Sequence, residues 1–345
     1  MANSSKPARH KKIRLGDLAE AAGVSVATVS RALNDHPAIN SETKRSVWKI
    51  AREFNYAFRP SMPAVLSGSL ATILIVIPTP QGRQSNISDP FYLALIGGIG
   101  AAVREIRCDM LISHAEPQTE EDLNLLMTEN RTNGVIFLGQ SLLHDQFNRL
   151  SNTNKKFVVW GADLPGQRYC SVGSDNVRGG RRATSHLLRL GRRRIAFMGY
   201  STEALEVHQR YKGYVEALAK EGIDVDPELI LPAHFEVESA EAAIRRLLAR
   251  GVEFDGVVAA SDLIATGVIR GLVEAGRSVP GDVSVVGYDD IPIARYGRPS
   301  ITTISQNMHN AGRILVSKLL DSPEGQPILS ERLPTELIVR ESCGA

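Results

Sequence analysis

The sequence has few cysteines and no long apolar run, and each shortage excludes a class of protein. Its 345 residues include only three cysteines, which are widely separated and show no CxxC spacing: Cys108, Cys170 and Cys343. They are interpreted as structural thiols in a reducing cytoplasm, not as a disulfide framework. Apolar runs such as residues 73–77 fall far short of the roughly 20 residues that cross a bilayer, so no membrane span is predicted. The basic start, residues 1–12, lacks the apolar segment of a signal peptide, and secretion is not expected.

What is present is an ordinary globular composition with an uneven distribution of charge. The chain is 43% hydrophobic, 23% charged and 6% aromatic, which excludes fibrous, collagen-like and wholly disordered proteins and suits about two or three domains. Residues 1–60 contain 11 Lys and Arg against 5 Asp and Glu, a net charge of +6, whereas residues 61–345 carry a net charge of −4. A small basic head is a candidate for binding nucleic acid, although a solvated basic arm would have the same composition.

Three short helices are predicted in the basic head. Apolar residues recur at helical spacing over residues 15–22 and stop at Gly23, which is expected to form a turn. Ser25 then caps a second helix. A third helix is predicted over about residues 41–54, with Asn40 as its cap. Two short helices joined by a tight glycine turn and completed by a third are typical of a helix-turn-helix.

Beyond a linker rich in proline, serine and glycine, apolar strand-like runs alternate with amphipathic helices. The runs are residues 73–77, 110–113, 135–138, 157–160, 195–198, 257–260 and 283–286. Continuous apolar strands separated by helices indicate parallel sheets covered on both faces, and two such sets predict an α/β body of two Rossmann-like, doubly wound lobes. The predicted domains are an N-terminal arm with the helix-turn-helix (1–60), a hinge (61–70) and a body (71–345), whose first lobe takes about 71–170 and 304–332 and whose second lobe takes about 171–303 and 333–345.

The stretch from Asp17 to Asn34 reads Asp-Leu-Ala-Glu-Ala-Ala-Gly-Val-Ser-Val-Ala-Thr-Val-Ser-Arg-Ala-Leu-Asn. It resembles the helix-turn-helix of the lactose/galactose repressor family at nearly every diagnostic position. The resemblance continues at residues 54–56, 210–213, 260–262, 285–290 and 333–337. It implies a small all-α head, a hinge and an effector-binding body like the type I periplasmic binding proteins. It also implies a cytoplasmic homodimer that represses carbohydrate uptake or catabolism genes, leaves a palindromic operator when a small sugar binds, and uses no cofactor or metal.

The resemblance places the second helix of the head in the major groove of double-stranded DNA. Val26 and Ala27, at its exposed start, then face base edges, where short apolar side chains can pack on thymine methyl groups. Arg31 can donate two hydrogen bonds to a guanine. The further DNA contacts that the resemblance implies are Ser25, Thr28, Ser30, Asn34, Asn40 and Tyr56.

The hinge departs from the pattern of the family. Family hinges form a short helix with a leucine that wedges into the minor groove, a role that the resemblance assigns to Leu66. Leu66 lies ten residues after Tyr56, one more than usual, and Pro60 lies four after it instead of two, with Pro63 in addition. Because proline is tolerated in the first turn of a helix, one or two turns around Leu66 can still form, but Pro63 leaves that open.

The carboxyl ends of the predicted strands are expected to carry the ligand site, because ligands bind there in doubly wound sheets. Aromatic, carboxylate and small polar residues occur at these ends, a mixture that suits the hydroxyl groups and apolar face of a sugar. Trp160 is a candidate from its place at such an end, and the family resemblance implies the other effector contacts, which are Arg210, Ser261, Asp289 and Gln306, with Phe235 as the aromatic wall and Phe91 in the first-lobe contact loop. Ser261 stands where the family usually has Asn or Asp, and each aromatic residue is explained equally well as part of a core or an interface.

Other functions are weighed on their motifs. Residues 97–102 look like a dinucleotide-binding loop, but they lie inside a helical stretch and Val103 replaces the last glycine. Gly98 and Gly100 are better explained by close packing of helices or subunits. Phosphate-loop, zinc-protease and hydrolase motifs and His–Cys clusters are all missing, so the protein is not expected to be an enzyme. A sugar transport protein would share the body but require export, and a nucleobase co-repressor that strengthens DNA binding remains an alternative effector.

Overall fold

A computed structural model of the chain describes residues 15–33, 39–40, 43–44, 46–47, 50–51, 54, 72–78, 87–129, 132–140, 142–153, 156–201, 204–320 and 329–345. The chain divides into two units, residues 1–70 and residues 71–345. Three predicted DNA contacts, Asn34, Tyr56 and Leu66, lie outside the described residues, as does the whole hinge of residues 61–70.

The first unit contains the helices that the apolar spacing predicts. They are α1 (Leu15–Ala22), α2 (Val26–Leu33) and a third helix whose described residues are 43–44, 46–47 and 50–51. The buried side chains of the three helices form one small core, made of Leu18, Ala19, Val29, Ala32, Val47 and Ala51. Gly23 has a φ of +63°, and the Val24 N–H donates to the carbonyl of Ala19 at 3.1 Å. α1 therefore ends in a left-handed glycine turn that leads directly into α2.

The second unit contains two lobes, each built on its own sheet. The strands are β1 (Thr72–Val76), β2 (Asp109–Ser113), β3 (Gly134–Leu138), β4 (Phe157–Trp160), β5 (Ser171–Ser174), β6 (Ile195–Met198), β7 (Ile230–Leu231), β8 (Gly256–Ala259), β9 (Ser284–Asp289), β10 (Thr302–Ser305), β11 (Glu331–Leu333) and β12 (Glu336–Ile338). The first sheet has the order β11-β5-β4-β3-β1-β2 and is parallel. The second has the order β12-β10-β9-β8-β6-β7, with β12 antiparallel at its edge.

Helices cover the sheets on both faces. They are α3 (Pro90–Glu105), α4 (Glu120–Glu129), α5 (His144–Thr153), α6 (Asn176–Arg189), α7 (Leu205–Lys220), α8 (Val237–Ala249), α9 (Asp262–Glu274), α10 (Pro292–Tyr296) and α11 (Met308–Leu320), with 3₁₀ turns at Pro227–Leu229 and Glu341–Cys343. In the first lobe, α3 and α11 pack with Ile73 and Ile75 on one face of the sheet, and α4 and α5 pack with Leu74 and Val76 on the other. This two-sided burial explains the continuous apolar strands. No helix in the described part of the chain is long and apolar enough to span a membrane.

The chain passes between the lobes at three places in the described ranges. From the sequence, residues 171–303 are expected in the second lobe, but β5 pairs with β4 in the first sheet, so the first passage follows Ser174. The second passage lies between β10 and α11, and the third lies between β11 and β12. β5 is not recognisable as a strand from its sequence, because Ser-Val-Gly-Ser is mostly polar although all four residues are buried.

The glycine-rich residues 97–102, which look like a dinucleotide-binding loop in the sequence, are explained in part by the packing of Gly98. The stretch lies within α3, and a Cβ atom on Gly98 would lie 2.2 Å from the carbonyl oxygen of Met308 in α11. A Cβ atom on Gly312 of α11 would in turn lie 2.2 Å from the carbonyl carbon of Gly98. The backbones of α3 and α11 therefore touch at this pair of glycines, which is close packing of helices within one lobe.

Candidate functional site

α2 presents on its solvent side the residues that are predicted to contact bases. Val26, at the first position of the helix, is 49% exposed, and Ala27 and Arg31 are exposed as well. Val29 and Ala32 fill the core of the head, so the inward positions of the helix are occupied by other side chains. The exposed face combines two short apolar side chains with a guanidinium group, a set that can contact base edges in a major groove.

Ser25 and Thr28 form the N-terminal cap of α2. Ser25 Oγ accepts a hydrogen bond from the Thr28 N–H at 3.1 Å and lies 2.9 Å from the Thr28 hydroxyl oxygen. Asn40 caps the third helix, because its Oδ1 accepts from the Thr43 N–H at 2.8 Å. Ser30 is partly buried in the middle of α2. Ser25 and Asn40 thus set the starts of their helices, and the predicted contacts of these polar residues with DNA remain predictions.

Replacing Ser25 with alanine is expected to loosen the start of α2. The change leaves the Thr28 N–H without its acceptor, and loss of such a cap costs about 1 kcal/mol. Amide hydrogen exchange of residues 26–33 in the full-length protein measures this cost, and we expect exchange to be about fivefold faster. Ser30→Ala removes a hydroxyl from the same helix without touching its cap and is the control. Unchanged exchange in the Ser25 variant would contradict the capping role.

In the body, three of the predicted effector contacts meet in one buried cluster. Arg210 comes from α7, Asp289 from the end of β9 and Gln306 from the residue after β10. Arg210 Nη1 lies 3.7 Å from Asp289 Oδ1, and Gln306 Nε2 donates to the same oxygen at 2.6 Å. The side chains of Arg210 and Asp289 are only 7% and 6% exposed. A guanidinium group and an amide therefore converge on one buried carboxylate at the carboxyl ends of two neighbouring strands.

Arg210 is held in place by neighbours on several elements. Its Nε donates to Asn176 Oδ1 at 2.9 Å, and its Nη1 donates to the carbonyl of Ala260 at 2.5 Å. The guanidinium carbon lies 3.8 Å from the centroid of the Tyr288 ring, a distance at which a cation and an aromatic face attract each other. The orientation of Arg210 is therefore fixed by two hydrogen bonds and one stacking contact in addition to the carboxylate.

Ser174 and Asn176 are functional neighbours that the sequence analysis did not identify. The Ser174 hydroxyl donates to Gln306 Oε1 at 2.5 Å; Ser174 ends β5 of the first sheet, and Gln306 follows β10 of the second. The bond therefore joins the two lobes next to the cluster. Ser174 ends β5, and Asn176 follows two residues later at the start of α6. Their place at the carboxyl end of a strand is the signal that would have marked them if β5 had been recognised.

Burial governs the charge of this cluster. It raises the pKa of Asp289 to about 7, although the guanidinium of Arg210 and the hydrogen bond from Gln306 act in the opposite direction. Burial and the charge of Asp289 also raise the pKa of the nearby Asp262 carboxyl well above its usual range. Two buried carboxyl groups thus influence each other beside a single buried guanidinium group, and they titrate as a pair.

The raised pKa of Asp289 predicts that the body becomes less stable as the pH rises towards neutrality. The carboxyl loses its proton near its ordinary value of 3.8 in the unfolded chain but near 7 in the folded chain. Between these values the folded state binds more protons, so each rise in pH favours unfolding. The midpoint of thermal unfolding should therefore fall as the pH rises from about 4 to about 7, and the raised pKa of Asp262 adds to this decline. Asp289→Asn should make this decline shallower, whereas Asp224→Asn, at an exposed position, should leave it unchanged; equal slopes in all three proteins would contradict the assignment.

The other predicted effector contacts have different surroundings. Ser261 is buried, and its Oγ accepts from the Ile264 N–H at 3.2 Å, so it caps α9. Phe235 is 41% exposed in the loop before α8. Trp160 is buried in the core of the first lobe, with its ring centroid 6.3 Å from that of the half-buried Phe91. Trp160 therefore has the surroundings of a core residue, the alternative that the sequence left open.

Polar groups from both lobes face each other beside the cluster. Gln209 of α7 donates through Nε2 to the carbonyl of Asp163 in the first lobe at 3.3 Å. Burial raises the pKa of Tyr92 and Tyr169 in the first lobe, and the charge of Glu206 on α7 raises both further. The carboxylate of Glu206 in the second lobe therefore acts electrostatically on two phenol groups of the first lobe. Neither Glu206 nor Gln209 was identified from the sequence.

The chemistry of the cluster suits binding of a ligand. It provides a guanidinium group, a carboxyl group and an amide in fixed positions, and these can donate and accept hydrogen bonds to a hydroxylated molecule. Over the residues that the structure describes, no group of three or more His, Cys, Asp or Glu side chains could hold a metal ion.

A helix-turn-helix head and a two-lobed body with a polar cluster between its lobes define a class of DNA-binding regulators. Residues 14–58 match the family model described as bacterial regulatory proteins, lacI family, and residues 184–343 match that of a periplasmic binding protein-like domain. The chain is 31% identical over 339 residues to the HTH-type transcriptional regulator CelR of Thermobifida fusca, covering 97% of this chain and 99% of that protein. It is 31% identical over 334 residues to the HTH-type transcriptional repressor CytR of Escherichia coli strain K12, covering 95% and 96%. The chain belongs to the lacI family and is a DNA-binding transcriptional regulator, not an enzyme.

Solved structures of related proteins share this architecture. A transcriptional regulator CelR–cellobiose complex aligns with a TM-score of 0.67 and 30% identity, covering 96% of this chain and 99% of that chain. The lac repressor dimer bound to operator and the anti-inducer ONPF aligns with a TM-score of 0.69 and 24% identity, covering 97% and 100%. The family and the two-lobed α/β fold predicted from the sequence are thereby confirmed.

Proposed function

We propose that this regulator represses genes of carbohydrate uptake or catabolism and that a mono- or disaccharide releases it from a palindromic operator. The observation that carries the proposal is the buried cluster of Arg210, Asp289 and Gln306. A guanidinium group, a carboxylate and an amide at neighbouring strand ends offer both donors and acceptors, which adjacent hydroxyl groups of a sugar require. The cellobiose in the complex of the related CelR is a ligand of this chemistry.

The exposure of two aromatic residues predicted to contact the effector supports the choice of a sugar. Phe235 is exposed and Phe91 is half-buried, so both rings have free surface that can pack on the apolar face of a pyranose. Trp160 supports Phe91 from the core in this proposal, and the Ser261 hydroxyl offers a further hydrogen bond beside its capping role. The ligand contacts proposed from the sequence therefore divide into polar groups in the second lobe and an aromatic surface from both lobes.

Release of DNA follows from linkage between the ligand and the arrangement of the lobes. A sugar held by residues of both lobes favours one arrangement of them, and the contacts of Gln209 and Ser174 across the lobes are expected to change with it. If the favoured arrangement binds the operator less well, DNA must weaken sugar binding by the same factor. The proposed effector is therefore an inducer, and no contact between sugar and DNA is needed.

Contact with DNA is assigned to the start and outer face of α2. Val26, Ala27 and Arg31 contact base edges, and the polar residues of the head contact the sugar-phosphate backbone or the edge of the groove. These polar residues are Ser25, Thr28, Ser30, Asn34, Asn40 and Tyr56. Leu66 of the hinge is proposed as the minor-groove wedge. A transcriptional regulator must reach chromosomal DNA to act, so the proposed location of the protein is the cytoplasm.

The proposed regulator acts as a homodimer, because one helix-turn-helix makes few contacts and a two-fold pair can bind a palindrome. In the first lobe, β2 is an edge strand with Leu111 49% and Ile112 38% exposed, and Leu93 of α3 is 53% exposed. Exposed apolar side chains on an edge strand favour a covering partner. The related lac repressor is a dimer on its operator.

Leu111→Asp is expected to weaken the proposed dimer, because it places a charge on the apolar edge. Sedimentation at micromolar concentration should then show monomer where the wild-type protein sediments as a dimer. Leu125→Asp, on α4 and 53% exposed in the wild-type chain, is the control and should sediment as the wild type does. A wild-type monomer that binds a half-site one-to-one would contradict the dimer.

The function is tested by a ligand screen followed by operator titration. The operator is first selected from random double-stranded DNA with the full-length protein, and a panel of sugars and purines that includes cellobiose is screened by thermal shift. Any ligand that stabilises the protein is added to an operator titration by fluorescence anisotropy. The proposal expects a sugar that weakens operator binding. A purine that strengthens operator binding would replace the inducer with a co-repressor, and a panel without any effect on DNA affinity would contradict the proposed effector site.

A further inference from the structure

β9 ends in two consecutive residues other than glycine that have left-handed backbone conformations. The φ angles are 113° at Asp289 and 60° at Asp290. Residues with a Cβ atom rarely adopt this region, so such a conformation persists only where surrounding groups hold it. The side chain of Asp290 is held by ion pairs with Arg295 and Arg340. The turn matters because it directs the side chain of Asp289 into the cluster with Arg210.

The residue after this pair is held by a carboxyl group from another element. The Ile291 N–H donates to Asp262 Oδ2 at 2.9 Å, and the hydroxyl of Thr303 on β10 donates to Asp262 Oδ1 at 2.5 Å. Asp262 is the first residue of α9 and is completely buried. A single side chain therefore ties together the start of α9, the turn after β9 and the strand that leads to Gln306.

Gly287 shows independently that the backbone of β9 packs directly against the carboxyl group of Asp262. A Cβ atom on Gly287 of β9 would lie 2.3 Å from Asp262 Oδ1, closer than a side chain can approach an oxygen atom. The strand can pass over the carboxyl group only because residue 287 is a glycine. The backbone of β9 and the side chain of Asp262 are thus fitted to each other two residues before Asp289.

We infer that Asp262 is a positioning residue of the effector site, which acts by fixing the turn that presents Asp289 and the strand that presents Gln306. The identity of the site rests on the proposed function, whereas the positioning itself rests on these contacts. Burial and the charge of Asp289 raise the pKa of Asp262, which favours its neutral form. The Thr303 hydroxyl can donate to a carboxylate or accept from a neutral acid or an amide, so the two bonds of residue 262 can be kept without its charge.

Asp262→Asn and Asp262→Ala separate these requirements. Asparagine can accept from the Ile291 N–H and donate to the Thr303 hydroxyl, so it should bind cellobiose as the wild type does and exchange the Ile291 amide at the same rate. Alanine removes the hydrogen-bond partner of the Ile291 N–H and of the Thr303 hydroxyl. Amide exchange of residues 288–292 should therefore become faster, and sugar affinity should fall at least about tenfold. Operator affinity without sugar should be unchanged. Isothermal titration with cellobiose and hydrogen-exchange mass spectrometry on full-length protein provide the measurements.

A second variant and a control complete the test. Thr303→Val removes one of the two donors and should shift both measurements in the same direction by less, which keeps the inference testable if the alanine variant does not fold. Asp255→Ala is the control, because that carboxylate accepts from the N–H groups of Arg193 and Arg194 elsewhere in the same lobe; it should change neither measurement. Asparagine as damaging as alanine, or wild-type exchange at Ile291 in the alanine variant, would overturn the inference. The exchange measurement needs no sugar, so failure of cellobiose and other sugars to bind wild-type protein counts against the proposed function alone.

Discussion

Arg210→Lys is expected to remove the response of operator affinity to the sugar while leaving operator affinity itself close to that of the wild type. Lysine keeps the positive charge next to Asp289 but cannot reproduce the planar arrangement of donors. Asn176 Oδ1 and the carbonyl of Ala260 would lose the hydrogen bonds that Arg210 makes with them at 2.9 and 2.5 Å. The stacking contact with Tyr288 would be lost as well.

The size of this effect follows from the burial of the groups involved. A buried sugar hydroxyl left without its charged hydrogen-bond donor costs about 1 to 3 kcal/mol, so loss of the guanidinium donors should lower sugar affinity by roughly tenfold to a hundredfold. DNA is read by the head, and Arg210 belongs to the body, so binding of the selected operator without sugar should not change. Both are measured by anisotropy titration of labelled operator across a range of sugar concentrations.

Arg181→Lys is the matched control for this prediction. Arg181 lies on α6 and forms an ion pair of 3.7 Å with Glu216, but its side chain is 50% exposed. Because exposed ion pairs contribute little, its replacement should change neither sugar response nor operator affinity. An Arg210→Lys variant that still leaves the operator at wild-type sugar concentrations would show that the buried cluster is not the effector site.

Local chemistry made the head predictable from its sequence. Gly23, Ser25 and Asn40 mark the ends and starts of its helices, and the structure gives them those roles. The same applies to the apolar strands of the body, such as β4 and β6, because burial on both faces leaves a continuous apolar run. These features depend on neighbours in the sequence and need no knowledge of tertiary contacts.

Strands with polar sequences could not be predicted in this way. β5 reads Ser-Val-Gly-Ser and β10 reads Thr-Thr-Ile-Ser, yet both lie inside their sheets. Their polar groups are satisfied by tertiary partners: the Ser174 hydroxyl binds Gln306, and the Thr303 hydroxyl binds Asp262. Such pairing cannot be seen in a local window, so the first passage between the lobes was expected several residues too early.

The candidate site could be predicted from the sequence only in part. The family resemblance marked Arg210, Asp289 and Gln306, which meet in space. It could not indicate which residues hold them, because Asn176 and Tyr288 act through contacts between elements distant in sequence. The order of the strands decides these contacts, and a single sequence does not reveal that order.

Arg31→Ala is expected to reduce affinity for the selected operator by about 1 to 3 kcal/mol and to relax base preference at one position of each half-site. Arg31 is exposed on α2, on the face that carries Val26 and Ala27, and its guanidinium can donate two hydrogen bonds to one guanine. Loss of a base contact should leave binding to random DNA almost unchanged, since that binding depends on phosphate contacts.

A comparison with Lys12→Ala distinguishes the reading of bases from attraction by charge. Lys12 belongs to the basic arm and is predicted from the sequence only to add positive charge. Its replacement should weaken binding to operator and random DNA by similar factors and flatten the dependence of affinity on salt, because fewer counterions are released. Anisotropy titrations of both variants on operator, single-base operator variants and random DNA at several salt concentrations provide the measurement. If Arg31→Ala reduces binding to random DNA as much as binding to the operator, Arg31 contacts phosphate, and the base specificity must come from Val26, Ala27 and the other residues at the start of α2.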